Sequence, residues 1–315
     1  MKLKNSFLLL TVFAIVFLLI SCGEDDSSSD LNGSARFEIT DAPIDDASVK
    51  SVFVTVAEIK ADGKTISGFN KTTIDVLAFQ NGDTKLLADT KLEAKSYSEL
   101  TLVLDFENDE NGNSPGCYVE EEDGNTKHPL TSSSNELTVQ ADFDISATVD
   151  ANIVVDFDLR KCVQREDNGN DNYEFVSKTE LQSGIRVVNR NEAGVVKGNC
   201  NDSVSDSDKI VVYAYKKGSF NRDTEVSGQG QSNIEFANAE SSANVDVNGN
   251  FQMHFLEQGQ YELVYCSYKE NSNNEMELTG TLQVNVLGNL DLSSIAVGAS
   301  LSVDVSVVVT GMIPL

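Results

Sequence analysis

The 315-residue sequence predicts an all-β protein of two antiparallel β-sandwich domains. Apolar and polar residues alternate with a period of two in most segments, as in strands with one face on a core and one in water. Beyond the N-terminal apolar stretch, no segment of helical length has a 3.6-residue apolar repeat. Short strands separated by polar turns favour antiparallel sandwiches over alternating α/β units.

The first 21 residues are predicted to be a signal peptide. Lys2 and Lys4 precede an apolar stretch over 6–20, which is short for a membrane-spanning helix of roughly 20 residues. It ends in Leu19-Ile20-Ser21-Cys22, which resembles the lipobox of bacterial lipoproteins. That resemblance implies cleavage before Cys22, acylation of its thiol with chains such as palmitate, and an outer-membrane protein held by lipid. The alternative is an ordinary secretory signal with a chance cysteine.

Residues 22–33 are predicted to be a flexible acidic tether. The sequence of 23–30, Gly-Glu-Asp-Asp-Ser-Ser-Ser-Asp, is too polar to pack. Acidic residues directly after the lipidated cysteine resemble the surface-export signal of Bacteroidota lipoproteins, which implies display on the cell surface. The expected partners are the membrane, through the lipid, and an extracellular or envelope protein or glycan of unknown identity.

The charge of the chain excludes one class of partner. It carries 23 Lys+Arg against 50 Asp+Glu, a net charge of −27. Removal of residues 1–21 leaves 21 basic against 50 acidic residues, a net charge of −29. Phosphate backbones repel such a chain, so nucleic-acid binding is excluded as its main function. A hydrophobic content of 40% argues against wholesale disorder.

The first sandwich is predicted to span residues 34–188. In the last of its clear strand patterns, the odd-numbered residues of 153–159 are apolar and are expected to face a core. Val154, Asp156 and Asp158 are expected to face water. The alternating segments are 51–59, 100–106, 137–143 and 153–159.

One motif closes the first strand of this domain. Thr40-Asp41-Ala42-Pro43 is followed by Asp75-Val76-Leu77 and by a strand that contains Tyr97. This pattern resembles an uncharacterised domain of bacterial lipoproteins, recognised by T-D-A-P and a later D-L-L, here D-V-L. The resemblance covers 34–188 and implies architecture and location but no activity.

Asp41 of that motif has two interpretations. Its carboxylate is expected to form a local Asx-type turn, while Pro43 ends the strand. The alternative is a ligand-binding role for Asp41 together with Asp45 and Asp46.

The second sandwich is predicted to span residues 193–310, after a polar break at 189–192. Asn248-Gly249 predicts a type I′ hairpin, in which both turn residues need positive φ. The sequences of 245–253 and 256–263 resemble the hairpin of carboxypeptidase-regulatory-like, transthyretin-like sandwiches. That resemblance implies a spacer or stabilising domain rather than a catalyst. The strand patterns are 210–215, 251–256, 261–268, 278–286 and 301–309.

The cysteines predict an oxidising compartment. With Cys22 acylated, four remain, an even number in an exported chain. One pair per domain favours disulfides Cys117–Cys162 and Cys200–Cys266. Reduced buried thiols are an alternative, and a metal site is disfavoured because no two cysteines form a CxxC pair.

Catalytic residues are not indicated. His128 lies beside a proline in a loop-like segment, and His254 is expected on the polar face of its strand. Two histidines in separate domains, without a partner constellation, predict surface positions rather than a triad. We therefore expect no enzyme activity.

Calcium is the one cofactor that the sequence suggests, with low affinity. Asp109 and Asn111, and Asp167 and Asp171, are spaced around glycines and offer oxygen ligands. Neither segment completes an EF-hand loop with its final Glu, and turn formation explains both.

The function predicted is that of a lipid-anchored cell-surface protein with a non-catalytic structural or binding role. Glycan- or calcium-dependent adhesion is the alternative. Trp, the usual sugar platform, is absent, and the tyrosines that offer an alternative aromatic surface also fit cross-strand packing. They are Tyr213, Tyr215, Tyr261, Tyr265 and Tyr268.

Overall fold

The computed structural model describes residues 31–42, 49–121, 126–165, 173–272 and 276–315, and within them the protein is all-β. The predicted signal peptide, the lipobox with Cys22 and residues 22–30 of the predicted tether lie outside the described residues. The first strand begins at Asn32, so the predicted tether overlaps it by two residues. No helix in the described ranges is long and apolar enough to cross a membrane.

The elements before residue 190 form two facing sheets and a small hairpin. The strands are β1 (Asn32–Ala42), β2 (Val49–Ala61), β3 (Lys64–Thr65), β4 (Thr72–Asp75), β5 (Lys85–Glu93), β6 (Ser96–Leu104), β7 (Tyr118–Glu121), β8 (Lys127–Pro129), β9 (Glu136–Asp144), β10 (Ala151–Asp158), β11 (Val163–Arg165), β12 (Tyr173–Phe175) and β13 (Ile185–Asn189). Two short helices, α1 (Leu159–Cys162) and α2 (Lys178–Ser183), and a 3₁₀ turn over Val76–Ala78 connect them.

These strands build a sandwich. One sheet has the order β13-β10-β1-β5, the other has the order β8-β7-β2-β6-β9 with β3 and β4 beside β2, and β11 pairs with β12. Phe37 and Ile39 of β1 meet Val54 of β2 and Leu102 of β6 in one buried core. Burying such apolar faces is the main stabilising contribution to the fold.

The sandwich is not purely antiparallel, since β1 and β10 run parallel with Ala35 opposite Ala151. Parallel neighbours need a long crossover, and here the chain between them builds β5 and the facing sheet. The arrangement brings the C-terminal ends of β1 and β10 to the same edge, where Asp41 and Asp158 lie.

The second domain is one eight-stranded sheet that encloses its own core. Its strands are β14 (Ala193–Asn201), β15 (Lys209–Lys216), β16 (Ser241–Asn244), β17 (Asn250–Glu257), β18 (Gly259–Glu270), β19 (Met276–Val286), β20 (Ile295–Val297) and β21 (Ser302–Pro314), with α3 (Arg222–Glu225) after β15. The order is β16-β15-β18-β19-β21-β14-β17, with β20 beside β18, and β14 runs parallel to β21. Because β16 and β17, at the two ends of this order, contact each other, the sheet closes in a barrel-like form. A 3₁₀ turn over Arg190–Glu192 separates the two domains.

The predicted type I′ hairpin at Asn248-Gly249 is wrong. Of these two residues only Gly249 has positive φ, +83°, and the strands on either side, β16 and β17, pair with different neighbours. The turn is instead held by Asp246, whose Oδ1 accepts the N–H groups of Asn248 and Asn250, each at 2.8 Å. An Asx-capped turn satisfies the same backbone groups without two left-handed residues.

The outer face of β10 does not face water as predicted. Val154 is fully buried, and Asp156 and Asp158 are 5% and 6% exposed. The second domain covers this face, where Val154 packs with Ala193 and Phe255. The alternation of apolar and polar residues in β10 indicated which side chains share its outer face. It did not indicate that the second domain covers that face.

Candidate functional site

The junction between the two domains holds buried cations of the first domain against backbone carbonyls of the second. Arg160 Nη1 donates to Glu235 O at 2.6 Å, and Lys161 Nζ donates to Ala239 O at 2.5 Å. Asp158 lies beside both cations, 2.8 Å from Arg160 and 3.5 Å from Lys161. Burial lowers the pKa of Lys161, and the charge of Asp158 opposes that shift. The carboxylate therefore keeps two buried cations compensated at the interface.

A second ion pair lies further along the same face. Arg186 of β13 pairs with Asp156 of β10 and donates to Phe255 O of the second domain at 3.3 Å. Arg190 pairs with Glu38 at 2.5 Å and stacks over the ring of Phe255 at 5.0 Å. The domains are thus joined by charge-assisted hydrogen bonds as well as by apolar packing.

Phe255 reaches the first domain because β17 carries a bulge. The register with β14 shifts between Gly194 and Val196, and Phe255 has φ of +55°. A bulge re-aims the side chains beside it. His254 and Phe255 accordingly turn toward the junction, whereas alternation had placed His254 on the exposed face of the strand.

Helix α2 supplies a third contact. Its N-cap Ser177 and Glu180 form a capping box. The same Glu180 carboxylate accepts Gln231 N–H at 2.7 Å, Ser232 N–H at 3.0 Å and the Ser232 hydroxyl at 2.9 Å, all from the second domain. The Ser-x-x-Glu spacing is a recognised N-terminal helix signal, and sequence reasoning missed it here.

A polar cavity of about 230 Å³ lies between these contacts. It is bounded by the end of β1, the loop over 80–82, β16 and the start of β17. Asp41, Asp156 and Asp246 line it, and among the described lining residues none is Lys or Arg. The cavity therefore has an acidic wall on a chain that is itself acidic.

The T-D-A-P motif builds one wall of this cavity. Thr40 Oγ1 lies 2.9 Å from Phe79 O and 2.8 Å from Asp83 O, and Asp41 N–H donates to Phe79 O at 2.9 Å. Asp41 Oδ1 accepts the N–H of Leu159 at 3.3 Å. The expected local Asx turn is thus replaced by a contact to α1, while Pro43, Asp45 and Asp46 lie outside the described residues.

Three oxygen atoms at the cavity have no hydrogen-bond partner among the described residues: Asp41 Oδ2, Ser242 Oγ and Asn244 Oδ1. Asp41 is 6% exposed and Ser242 is 4% exposed. Burial raises the pKa of Asp41 well above its usual value, and the nearby Asp158 carboxylate adds to the shift. Buried polar atoms are normally satisfied by protein, by ordered water or by a ligand, and the cavity is where these three oxygens could meet such a partner.

His254 lines the same cavity and packs on Gly82. A Cβ at Gly82 would lie 2.4 Å from His254 Nδ1, and its φ of +89° also favours glycine. Burial, followed by the charge of Arg190, lowers the pKa of His254, so the imidazole is neutral at pH 7. His254 Nε2 lies 3.2 Å from Gln252 Oε1.

His128 belongs to a separate site in the first domain. It lies on β8 with its ring 5.6 Å from that of Tyr173 and Nε2 3.5 Å from Glu121. Both histidines are therefore partly buried rather than on the surface as predicted. No cluster of three His, Cys, Asp or Glu side chains in the described ranges is arranged to hold a metal.

Sequence reasoning also passed over a serine motif. Residues 112–116, Gly-Asn-Ser-Pro-Gly, fit the G-x-S-x-G pattern of a nucleophile elbow, which places Ser at a strand-to-helix turn. Here the segment joins β6 to β7, and Ser114 is exposed in the loop. The motif therefore lacks the structural context of an elbow.

The first predicted calcium segment forms a turn. Asp109 Oδ1 accepts the N–H groups of Asn111 and Asn113, each at 2.8 Å. These hydrogen bonds, with the Asn113 side chain, lower the pKa of Asp109. Asp167 and Asp171 of the second segment lie outside the described residues.

The predicted disulfides are not present, because Cys117, Cys162, Cys200 and Cys266 are free, buried thiols. Cys200 points into the closed core of the second domain, whereas Cys266 points to the opposite face of the sheet. Cys117 Sγ instead accepts Thr55 N–H at 3.3 Å. Burial raises the pKa of both Cys117 and Cys200 to about 12.

The five tyrosines considered as a sugar platform are all buried, with exposures of 3% or less. Tyr213 and Tyr268 share a hydrogen bond of 2.6 Å between their hydroxyls, and Tyr213 stacks on Phe236. Packing inside the domain, the alternative that the sequence left open, therefore explains the positions of these tyrosines.

Part of the chain matches a known family model. Residues 32–177 match the family model described as Domain of unknown function (DUF4382). The domain was expected over 34–188, and it includes the T-D-A-P strand, the sandwich core and Asp41. No curated protein sequence matches the chain.

Among solved structures, the chain is similar to a Bacillus anthracis protein and to two pilins. It is 13% identical to the Bacillus anthracis TIE protein, with a TM-score of 0.20, covering 88% of this chain but 34% of that one. It is 12% identical to the minor pilin GBS52 of Streptococcus agalactiae, with a TM-score of 0.21, covering 89% of this chain and 97% of that one. It is 9% identical to BcpA, the major pilin subunit of Bacillus cereus, with a TM-score of 0.21, covering 89% of this chain and 70% of that one. The chain thus spans about a third of the first protein, and these TM-scores are too low to support a common fold.

Proposed function

We propose that the protein is a lipid-anchored cell-surface protein with a non-catalytic structural or binding role, in which both domains act as one rigid module. The observation that carries this proposal is the junction. Arg160, Lys161 and Arg186 reach carbonyls of the second domain while Asp156 and Asp158 compensate their charge. Fixed orientation is what a module needs if it holds a surface at a set distance from a membrane.

The short connection between the domains supports rigidity. Only the 3₁₀ turn over Arg190–Glu192 separates β13 from β14, and the side chain of Asn189 caps it. Flexible linkers are rich in Gly and Ser and many residues long. The short turn between β13 and β14 is therefore unlike a flexible linker.

The lipid anchor of this proposal rests on the sequence before β1. Ser21-Cys22 ends an apolar stretch of signal-peptide length, and residues 23–30 are polar and acidic. Two or more acyl chains on Cys22 give stable membrane binding, whereas one gives marginal binding. The charge of −29 on the processed chain disfavours close contact between the domains and anionic lipid.

The neutral substitution Cys22→Ala tests the anchor. We expect Cys22→Ala to lose palmitate labelling and to move from the detergent phase to the aqueous phase in Triton X-114 partitioning of whole cells. Ser27→Ala, in the same acidic segment, is the control and should remain acylated and membrane-bound. Continued acylation and membrane association of Cys22→Ala would contradict the proposal, and proteinase treatment of intact cells tests surface display.

A further inference from the structure

The junction cavity has the features of a cation site. We propose that it binds one divalent cation, Ca²⁺ being the natural candidate at a cell surface, through oxygen atoms of Asp41, Ser242 and Asn244. Nothing in the proposed structural role requires this site, so the inference goes beyond that function. It also differs from the calcium segments suggested by the sequence, of which the described one uses its Asp109 carboxylate to hold a turn.

The unpartnered atoms at the cavity are of the kind that Ca²⁺ prefers as ligands. Asp41 Oδ2, Ser242 Oγ and Asn244 Oδ1 are all oxygens, and each lacks a hydrogen-bond partner in the described ranges. Ca²⁺ takes six to eight oxygen ligands from carboxylates, amide carbonyls and water. Two of these side chains are more than nine-tenths buried, so bulk solvent does not satisfy them.

The charged side chains that line the cavity favour a cation over an anion. The aspartates at the cavity are Asp41, Asp156 and Asp246, and none of the described lining residues is Lys or Arg. Asp156 is paired with Arg186, and Asp246 accepts N–H groups of its own turn, so neither needs a further partner. Asp41 is the carboxylate left for an ion, and an anion would be repelled.

The carboxylates around Asp41 also favour a cation. Asp41 faces Asp156 and Asp158 from β10, the thiol of Cys162 from α1 and the side chain of Gln80, and His254 lines the same cavity. A cation bound by Asp41 would offset the repulsion between it and these carboxylates.

The site would be weak. One carboxylate and two neutral oxygens leave several positions to water, and 230 Å³ can hold an ion with several water molecules of about 30 Å³ each. Extracellular calcium modules bind with dissociation constants of about 10⁻⁴ to 10⁻³ M. That range matches a site loaded outside the cell.

Equilibrium dialysis of the detergent-purified full chain against ⁴⁵Ca²⁺, after chelator treatment, tests the site. Asp41→Asn keeps an oxygen for Leu159 N–H but removes the carboxylate, and Asp89→Asn removes an exposed carboxylate from β5 as a control. We expect one saturable site, weakened at least about tenfold by Asp41→Asn and unchanged by Asp89→Asn. Absence of saturable binding, or equal effects of the two variants, would overturn the proposal, because equal effects mean non-specific screening.

Circular dichroism shows whether Asp41→Asn folds, and a second variant tests the site if it does not. Ser242→Ala removes a neutral ligand without changing charge and should lower the Ca²⁺ affinity several-fold while the spectrum stays native. Native Ca²⁺ affinity in a folded Ser242→Ala variant would contradict the site. These results are independent of Cys22, so they fail or succeed separately from the lipid anchor.

Discussion

Asp41 shows how much a residue's role depends on partners that are distant in sequence. The T-D-A-P pattern marks the position as special, and the local chemistry of Asp before Pro favours a turn. In the structure the carboxylate instead accepts from Leu159, 118 residues further along the chain. The parallel pairing of β1 with β10 creates that contact, and alternation within either strand carries no information about which strands pair.

The cysteines illustrate the same limit. Their even number in an exported chain predicted two disulfides, but pairing also needs side chains that point toward each other. Cys200 on β14 and Cys266 on β18 are separated by two strands of the sheet and point to opposite faces. Which face each residue uses follows from the strand register, which the sequence alone left open.

Thiol labelling tests this account of the cysteines. We expect Cys117, Cys162, Cys200 and Cys266 to resist maleimide at pH 7 in the native chain, because all four are buried. Burial also raises the pKa of the first three thiols. After unfolding without reductant, mass spectrometry should find all four modified. A chain that gains fewer than four labels until it is reduced would show that disulfides form.

At the scale of elements, the strands were the predictable part of the fold. Each alternating segment in the sequence corresponds to a strand, such as 137–143 within β9 and 261–268 within β18. The short helices and the bulge at Phe255 were missed, because one or two turns of helix and a single extra strand residue leave no periodic signal. Helix α1, helix α2 and this bulge all contribute contacts to the junction.

Glu180 of α2 offers a test at this scale. Burial raises the pKa of its carboxylate, but hydrogen bonds from Ser177, Ser232 and Gln231 outweigh burial and lower it overall. Since the folded pKa lies below the unfolded value near 4.5, the stabilisation is present above that value and is lost as pH falls through the folded pKa. Glu180→Gln should therefore destabilise the chain by about 1–3 kcal/mol at pH 7, and by less at pH 3.

Urea denaturation at both pH values measures this difference. Glu107→Gln is the control, because its side chain is exposed in the loop after β6 and should change the free energy of unfolding by less than about 0.5 kcal/mol. An equal loss of stability for Glu180→Gln at pH 7 and pH 3 would contradict a role for the ionised carboxylate.

For the whole molecule, the sequence shows a polar break between the two predicted domains but does not reveal the contact between them. A polar break at 189–192 was visible, and the structure has a 3₁₀ turn there. The burial of Asp156 and Asp158 was not visible, because charged residues at alternate positions of a strand usually mark a solvent face. The junction cavity, which needs both domains, was therefore beyond sequence reasoning.

Differential scanning calorimetry of the full chain tests the central claim, that the two domains form one unit through a buried ionic junction. Arg186→Gln leaves Asp156 buried without its cation, so it should cost about 3–5 kcal/mol. Lys197→Gln breaks an exposed pair with Asp304 and should cost at most about 1 kcal/mol. We predict one two-state transition for the unaltered chain, with equal calorimetric and van't Hoff enthalpies, which Arg186→Gln lowers or splits. Two independent transitions in the unaltered chain, or equal behaviour of the two variants, would contradict the account.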